Sequence, residues 1–424
     1  MMSTLKKTYI TLAITVITVF LGASTATAAY KTDVVSDMAL IYQGGNHRPE
    51  WTEDELRPYV VHTFADGRME WFFDSFLFFE FTDSWQIAFG SSYGTRNAQR
   101  SDWEWLLNRV FEKGKSLDAL NSCIEHYKTI IGEPSFKHRI VLGVVSPITG
   151  QTDWGSLDGK TLDFTNRDDQ ITAAKWYIDQ LMERFAEETY NNLELTGFYW
   201  FEERTAKCGD LPKDVSEYIH QLDKRFYWIP YWNASGYNLW KKLGFDTAFL
   251  QPNHFFSKDI PDIRLDQACN TARKFGMGLE MEFDSNVLYE KEDSYYSRLE
   301  SYINAFENNG VFEESSIAYY SGTKGILDMY RSNSIENTLI LDRIAGHILN
   351  RRSRGVGIET PDPPKTDVIV AGGVGELYIS GDPESIRIYT ANGILVSENR
   401  KSFQCPSGIY IVIVDGETRK VTVR

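Results

Sequence analysis

Leu195-Thr-Gly-Phe-Tyr-Trp-Phe-Glu-Glu203 and Gly276-Met-Gly-Leu-Glu-Met-Glu-Phe-Asp284 are two strand-like runs that both carry paired glutamates at their carboxyl ends. Carboxylates there predict a pair facing one another across the mouth of a barrel of parallel strands. In the second run, residues two apart point the same way. Leu279, Met281 and Phe283 share one face and are expected to pack under outer helices, which turns Gly278, Glu280 and Glu282 inward. Buried carboxylates are rare unless paired or functional. Glu282 lies nearer the mouth and is the stronger catalytic candidate; Glu280 is the deeper one. The first run is harder to phase, because Phe198, Trp200 and Glu202 form one face while Gly197, Tyr199, Phe201 and Glu203 form the other. Glu202 is favoured at the mouth, since the other phase requires the strand to extend further before bending; Glu203 is the alternative, beside Arg204.

Strand signals alternate with helical ones outward from these runs, as in a parallel α/β architecture. Strands are expected at Met38–Tyr42, Ser75–Phe81, Arg139–Val145, Thr196–Glu202, Phe226–Tyr231, Thr247–Pro252, Gly278–Phe283 and Ile317–Tyr320. Amphipathic stretches lie between them: Trp103–Phe111 with Leu117–Ile131, Asp168–Tyr190, Asp214–Lys224, Gly236–Leu243, Ile260–Phe275, Ser294–Asn309 and Ile326–Asn350. About eight β/α units predict a (β/α)₈ TIM barrel over residues 29–350. A doubly wound sheet is the alternative, but no Gly-x-Gly-x-x-Gly or Walker-type loop follows a strand. Residues 351–367, with Thr360-Pro-Asp-Pro-Pro-Lys365, read as a linker. Short alternating strands over 368–424, with turns at Asn392-Gly393 and Asp415-Gly416, predict a small all-β, sandwich-like domain.

Residues 1–28 read as a secretory signal: Lys6 and Lys7, an apolar run from Tyr9 to Leu21, then Ala26-Thr-Ala28. The run is short of the ~20 apolar residues that cross a bilayer, so the expectation is a protein exported to the periplasm, cell surface or medium, without membrane insertion. Of 44 basic and 59 acidic residues, 42 and 59 remain after cleavage, a net −17. Such a surface repels nucleic acid and disfavours a polyanionic substrate. Four widely spaced cysteines (Cys123, Cys208, Cys269, Cys405) and scattered histidines form no zinc pattern, so neither metal nor cofactor is expected. Disulfides and buried free thiols are equally compatible with the spacing.

Two opposed carboxylates are what glycosidic cleavage requires, one to give a proton and one to attack or activate water. The chemistry expected is hydrolysis of a neutral poly- or oligosaccharide, Glu202 or Glu203 serving as acid/base and Glu282 or Glu280 as nucleophile or base. Sugar-binding residue types cluster at other strand ends: Trp200, Trp232 with Asn233, Gln251, Asn253, His254, Phe255 and Tyr320, with Asp74, Glu80, Asn46 and Arg48 as weaker candidates. The rival from another class is a glycan-binding protein that keeps the cleft and lacks turnover. A serine esterase would need a Gly-x-Ser-x-Gly elbow joining a strand to a helix, and the match at Gly90-Ser-Ser-Tyr-Gly94 adjoins neither an expected strand nor an expected helix; a uronate lyase fits the negative charge poorly.

The placement of glutamates at the fourth and seventh strands is similar to the large retaining glycosidase clan built on barrels, which implies retention of configuration. That clan usually has Asn before the acid/base, whereas Phe201 or Glu202 stands there in this chain. Gly197-Phe-Tyr-Trp-Phe-Glu-Glu203, Trp228-Ile-Pro-Tyr-Trp232, Gly244-Phe-Asp-Thr-Ala-Phe-Leu-Gln-Pro-Asn253 and Asp74-Ser-Phe-Leu-Phe-Phe79 resemble domain of unknown function 4855, a family common in gut Bacteroidetes, over roughly residues 35–350. The resemblance implies a glycosidase-like barrel. Ile386-Arg-Ile-Tyr-Thr-Ala-Asn-Gly-Ile-Leu395 and Ser407-Gly-Ile-Tyr-Ile-Val-Ile-Val414 resemble C-terminal sorting domains of Bacteroidetes secreted proteins, which implies surface delivery.

Overall fold

The computed structural model describes residues 28–45, 48–91, 93–354, 370–373, 375–379, 383, 385–391, 393–414 and 417–423. The expected signal peptide up to residue 27, the expected linker from residue 355 onward, the first two residues of the expected β domain (368–369) and residues 46, 92, 392, 415 and 416 lie outside them. The chain divides into two compact units, one ending at Gly357 and one beginning at Ile358.

Eight parallel strands close the first unit into a barrel: β1 (Asp37–Tyr42), β2 (Ser75–Phe79), β3 (His138–Val144), β4 (Leu193–Trp200), β5 (Arg225–Trp228), β6 (Thr247–Leu250), β7 (Gly278–Glu282) and β8 (Ile317–Tyr320). Every expected strand is present, and β1 pairs with both β2 and β8 to complete the ring. These segments are near-continuous apolar runs because both of their faces are covered, the lumen on one side and helices on the other. Long helices over Ser116–Ile131, Arg167–Glu187, Ile263–Phe275 and Tyr296–Asn308 supply the outer layer.

Several elements depart from the sequence reading, three short two-stranded sheets among them. Gly236–Leu243 forms only a single 3₁₀ turn, Tyr237–Leu239. The stretch Ile326–Asn350 breaks into Gly325–Arg331 and Ile335–Ser353. The helix Glu53–Val60 after β1 was not anticipated, since Pro58 sits inside it. The last barrel helix also runs three residues into the expected linker, because Arg351 is fully buried and paired to Asp37 at the amino end of β1.

Packing inside the barrel is close. A Cβ at Gly143 of β3 would lie 2.2 Å from Phe201 Cε1 and 2.6 Å from Phe79 Cβ. Gly143→Ala is therefore expected to cost about 1–3 kcal/mol by overpacking, read as a lowered denaturant midpoint at unchanged slope. The four cysteines are buried and unpaired, the second of the two states the spacing allowed. Among the described residues no helix is long and apolar enough to cross a membrane.

The second unit pairs a three-stranded antiparallel sheet (Val370–Gly372, Glu376–Ile379, Ser402–Gln404) with a four-stranded one (Ile386–Thr390, Leu395–Glu398, Gly408–Val414, Glu417–Val423). Its core of Leu377, Ile379, Ile388, Val412 and Val423 is drawn from alternate positions of these strands, the sandwich pattern expected.

Candidate active site

Glu203, Glu280 and Glu282 line one cavity of about 310 Å³ at the carboxyl ends of the barrel strands. β7 is phased as the sequence indicates, with Glu280 and Glu282 turned to the cavity. β4 is phased the opposite way to the expectation. Tyr199 and Phe201 point into the lumen, their rings 5.1 and 6.0 Å from Phe79, and Glu203 follows them on the same face. Trp200 takes the outer face, 6.2 Å from the Phe226 ring, and is fully buried. A bulge between Leu195 and Gly197 resets the register against β3, a displacement that residue patterning does not reveal. Glu202 instead lines an adjoining cavity of about 320 Å³, where the backbone N–H and hydroxyl of Ser91 both donate to it.

Both oxygens of Glu203 are engaged: Tyr93 Oη donates to Oε2 at 2.6 Å and Gln251 Nε2 to Oε1 at 2.8 Å. Burial raises the Glu203 carboxyl above its ordinary value, and these two bonds offset only part of the effect. On the other side, Glu282 Oε2 accepts from Tyr302 Oη and from the backbone N–H of Asn253, each at 2.6 Å. Asn253 presents that N–H from the left-handed region, at φ 50°, a conformation Asn tolerates better than most side chains. Burial lifts Glu282 to about 7. Burial, then the neighbouring Glu282 and Glu203, raise Glu280 well above the carboxylate range.

A carboxyl with a raised folded value binds more protons folded than unfolded, so its contribution to stability is lost as pH rises. For Glu282 the window runs from the ordinary 4.5 to about 7. Glu282→Gln is thus expected to melt higher than wild type at about pH 8, and the gap should close towards about pH 4.5. Equal melting curves for the two proteins across that range would remove the linkage.

Arg48 completes the charged lining. Its Nε and NH2 hold the fully buried Glu80 at 2.8 and 2.9 Å, NH1 donates to Thr323 at 2.8 Å, and the guanidinium lies 4.6 Å over the Tyr42 ring. Glu80 also accepts from the N–H of Gly44 at 2.7 Å, where a Cβ would collide with the glutamate.

Gln251, Asn253, Tyr320 and Arg48 therefore reach the cavity as expected, while Glu80, held by Arg48, and six other candidates do not. Trp200 faces outward. Trp232 is covered by Arg264, 4.9 Å over its ring, and Asn233 occupies an exposed left-handed turn. His254 is buried beneath the cavity loop, bonded to Asp262 at 2.8 Å, and burial lowers it to about 4. Phe255 is buried against Tyr295, and its neighbour Phe256 lines the cavity instead. Asp74 precedes β2, so it sits at the amino end of the barrel, where it accepts from the Asp37 N–H at 3.0 Å. Asn46 lies outside the described residues. Sequence reasoning missed Ser91 and Tyr93, on a glycine-flanked loop after β2, and Tyr302, on a helix after β7. Among the described residues no cluster of metal-ligating side chains occurs.

The profile of the family described as Domain of unknown function (DUF4855) matches residues 37–346. The chain belongs to that family. The match starts at the first residue of β1 and ends within the last barrel helix, so this site lies wholly inside it. No curated protein matches the chain. Solved structures similar to it include a protein provisionally assigned as an alpha-L-fucosidase from Bacteroides thetaiotaomicron (12% identity, 81% of this chain and 99% of that chain, TM-score 0.40). The intracellular xylanase of Thermoanaerobacterium saccharolyticum (12%, 59% and 78%, 0.35) and a mutant tryptophan synthase alpha-subunit of Pyrococcus furiosus (10%, 76% and 99%, 0.33) are others. Likenesses this distant identify neither substrate nor reaction.

Proposed function

We propose that this barrel is a glycoside hydrolase acting on a glycan without acidic groups, with Glu203 as acid/base and Glu282 as nucleophile or base. The observation that carries this reading is the meeting of Glu203 and Glu282, from the ends of β4 and β7, in one aromatic-walled cavity. The roles follow from their places at the ends of the fourth and seventh strands, since burial raises both carboxyls. Glu282 accepts a backbone N–H and a phenol on one oxygen, a setting that supports the anion when it attacks. Burial raises Glu203, the direction that a proton donor to the departing glycosidic oxygen needs. Water then attacks the sugar carbon while Glu203 takes its proton, and the bond from that carbon to Glu282 breaks and returns the Glu282 carboxylate. Tyr320 and Phe256 offer ring faces to the sugar, and Gln251 and Arg48 offer donors.

Retention of configuration is part of the proposal, and anomer detection by proton NMR in the first minutes of hydrolysis tests it. Because Glu282 must be ionised, the acidic limb of kcat/KM is expected near pH 7 rather than near 4.5. Secretion is proposed from the residues up to 28 and the C-terminal module, and cell fractionation of full and truncated chains tests it. The decisive experiment is product release from a broad panel of plant, host and microbial glycans by wild type, Glu203→Gln and Glu282→Gln. Release lost in both variants supports the hydrolase. No release, with glycan binding that survives both changes, supports the binding protein.

A further inference from the structure

Glycoside hydrolysis uses two carboxylates, and this cavity holds three. The one left over, Glu280, lines the same cavity as Glu203 and Glu282 and is 2% exposed, yet among the described residues no donor reaches it. It is neither a capping group nor half of an ion pair. The phenol rings of Tyr42, Tyr199 and Tyr320 line the same cavity, and none of them donates to it. Arg48, which also lines the cavity, is committed elsewhere: two of its nitrogens hold the carboxylate of Glu80 and a third holds Thr323. Arg204 stands beside Glu203 in the adjoining cavity and is not among the residues that line this one. Carboxyls this crowded are held in place only by protons or by a cation, and the Glu280 carboxyl aimed into the cavity has no protein donor among the described residues.

Resting on the glycosidase reading of the same cavity, we propose that the sugar bound beside Glu280 carries a protonated amine, and that Glu280 selects for it. An ammonium group supplies both missing things, a charge-assisted donor for Glu280 and a counter-charge for the cluster. The aromatic walls favour the same ligand, because ring faces attract a desolvated cation as well as the apolar face of a sugar. A hydroxyl at that position offers a donor without the charge. An acetamido group removes the charge and adds bulk. Amino hexoses are thus the expected class, in preference to their hydroxyl or N-acetyl counterparts.

Monosaccharides test this without turnover, so the result stands apart from whether the protein hydrolyses anything. Saturation-transfer NMR and calorimetry would compare glucosamine, galactosamine and mannosamine with glucose, galactose, mannose and the three N-acetyl forms, on wild type and Glu280→Gln. Thermal melting of the variant reports that it is folded. At least one amino sugar is expected to bind wild type about tenfold more tightly than its hydroxyl counterpart, and Glu280→Gln should abolish the difference. Equal affinities in wild type, a preference that persists in Glu280→Gln, or no saturable binding of any amino sugar up to tens of millimolar would each overturn the proposal. A confirmed amine preference with no hydrolysis of amino-sugar oligomers would leave Glu280 as the selector and remove the hydrolase instead.

Discussion

Glu282→Gln and Glu203→Gln are each expected to lower kcat by a factor of roughly 10³ or more on the substrate that the glycan panel identifies. The two losses should differ in kind. Glu282→Gln keeps the shape of the side chain and its place beside Tyr302 and Asn253 while removing the anion that attacks, so both steps of the reaction fail. Glu203→Gln removes the proton that the leaving group needs. Aryl glycosides with acidic leaving groups depend little on that proton, and their bond cleavage should retain far more of the wild-type rate than natural linkages do. Azide should rescue Glu203→Gln on such substrates, because an anion needs no general base to attack the sugar carbon. Full turnover by either variant would sink the assignment. A Glu202→Gln protein serves as the comparison: bonded to Ser91 on the other side of the strand, Glu202 should matter much less than Glu203.

Arg351→Met is expected to lower the melting temperature by on the order of 10 °C, from a loss of about 3–5 kcal/mol. Arg351 is fully buried at the amino end of the barrel, where it pairs with Asp37 and donates to the carbonyl of Ser315. Asp37 also accepts from Tyr319 Oη at 2.9 Å. Removing the guanidinium strands a carboxylate in an apolar setting, next to Asp74, which burial and Asp37 already lift to about 6. Asp37→Asn combined with Arg351→Met should recover part of the loss, since no unpaired charge then remains. Differential scanning calorimetry at one scan rate would show it. A single variant melting within about 2 °C of wild type would mean that the pair contributes little to the barrel's closure.

That ion pair also shows where sequence reading stopped. Arg351 falls in a run with Arg352, Ser353 and Arg354 that has the composition of a linker. Nothing local distinguishes a buried arginine from an exposed one; its partner is Asp37, more than 300 positions away. Asp74 illustrates the same limit, because its position at the amino end of β2 rather than the carboxyl end decides that it is structural.

The eight strands and the inward phase of Glu280 and Glu282 were determined by the sequence itself. Alternation and apolar runs are local consequences of burying both faces of a short strand, and they survive without knowledge of neighbours. The small β module was legible for the same reason. Tertiary structure alone decided that Glu203 and not Glu202 meets Glu282, because both faces of β4 are aromatic and a bulge sets the register. It alone brought Tyr93, Ser91 and Tyr302 to the carboxylates, from a loop and a helix with no chemical signature of their own. The Ser91 and Tyr93 bonds span more than a hundred residues and the Tyr302 bond spans 20, and all three depend on where the chain turns, a property of the closed barrel rather than of any segment within it.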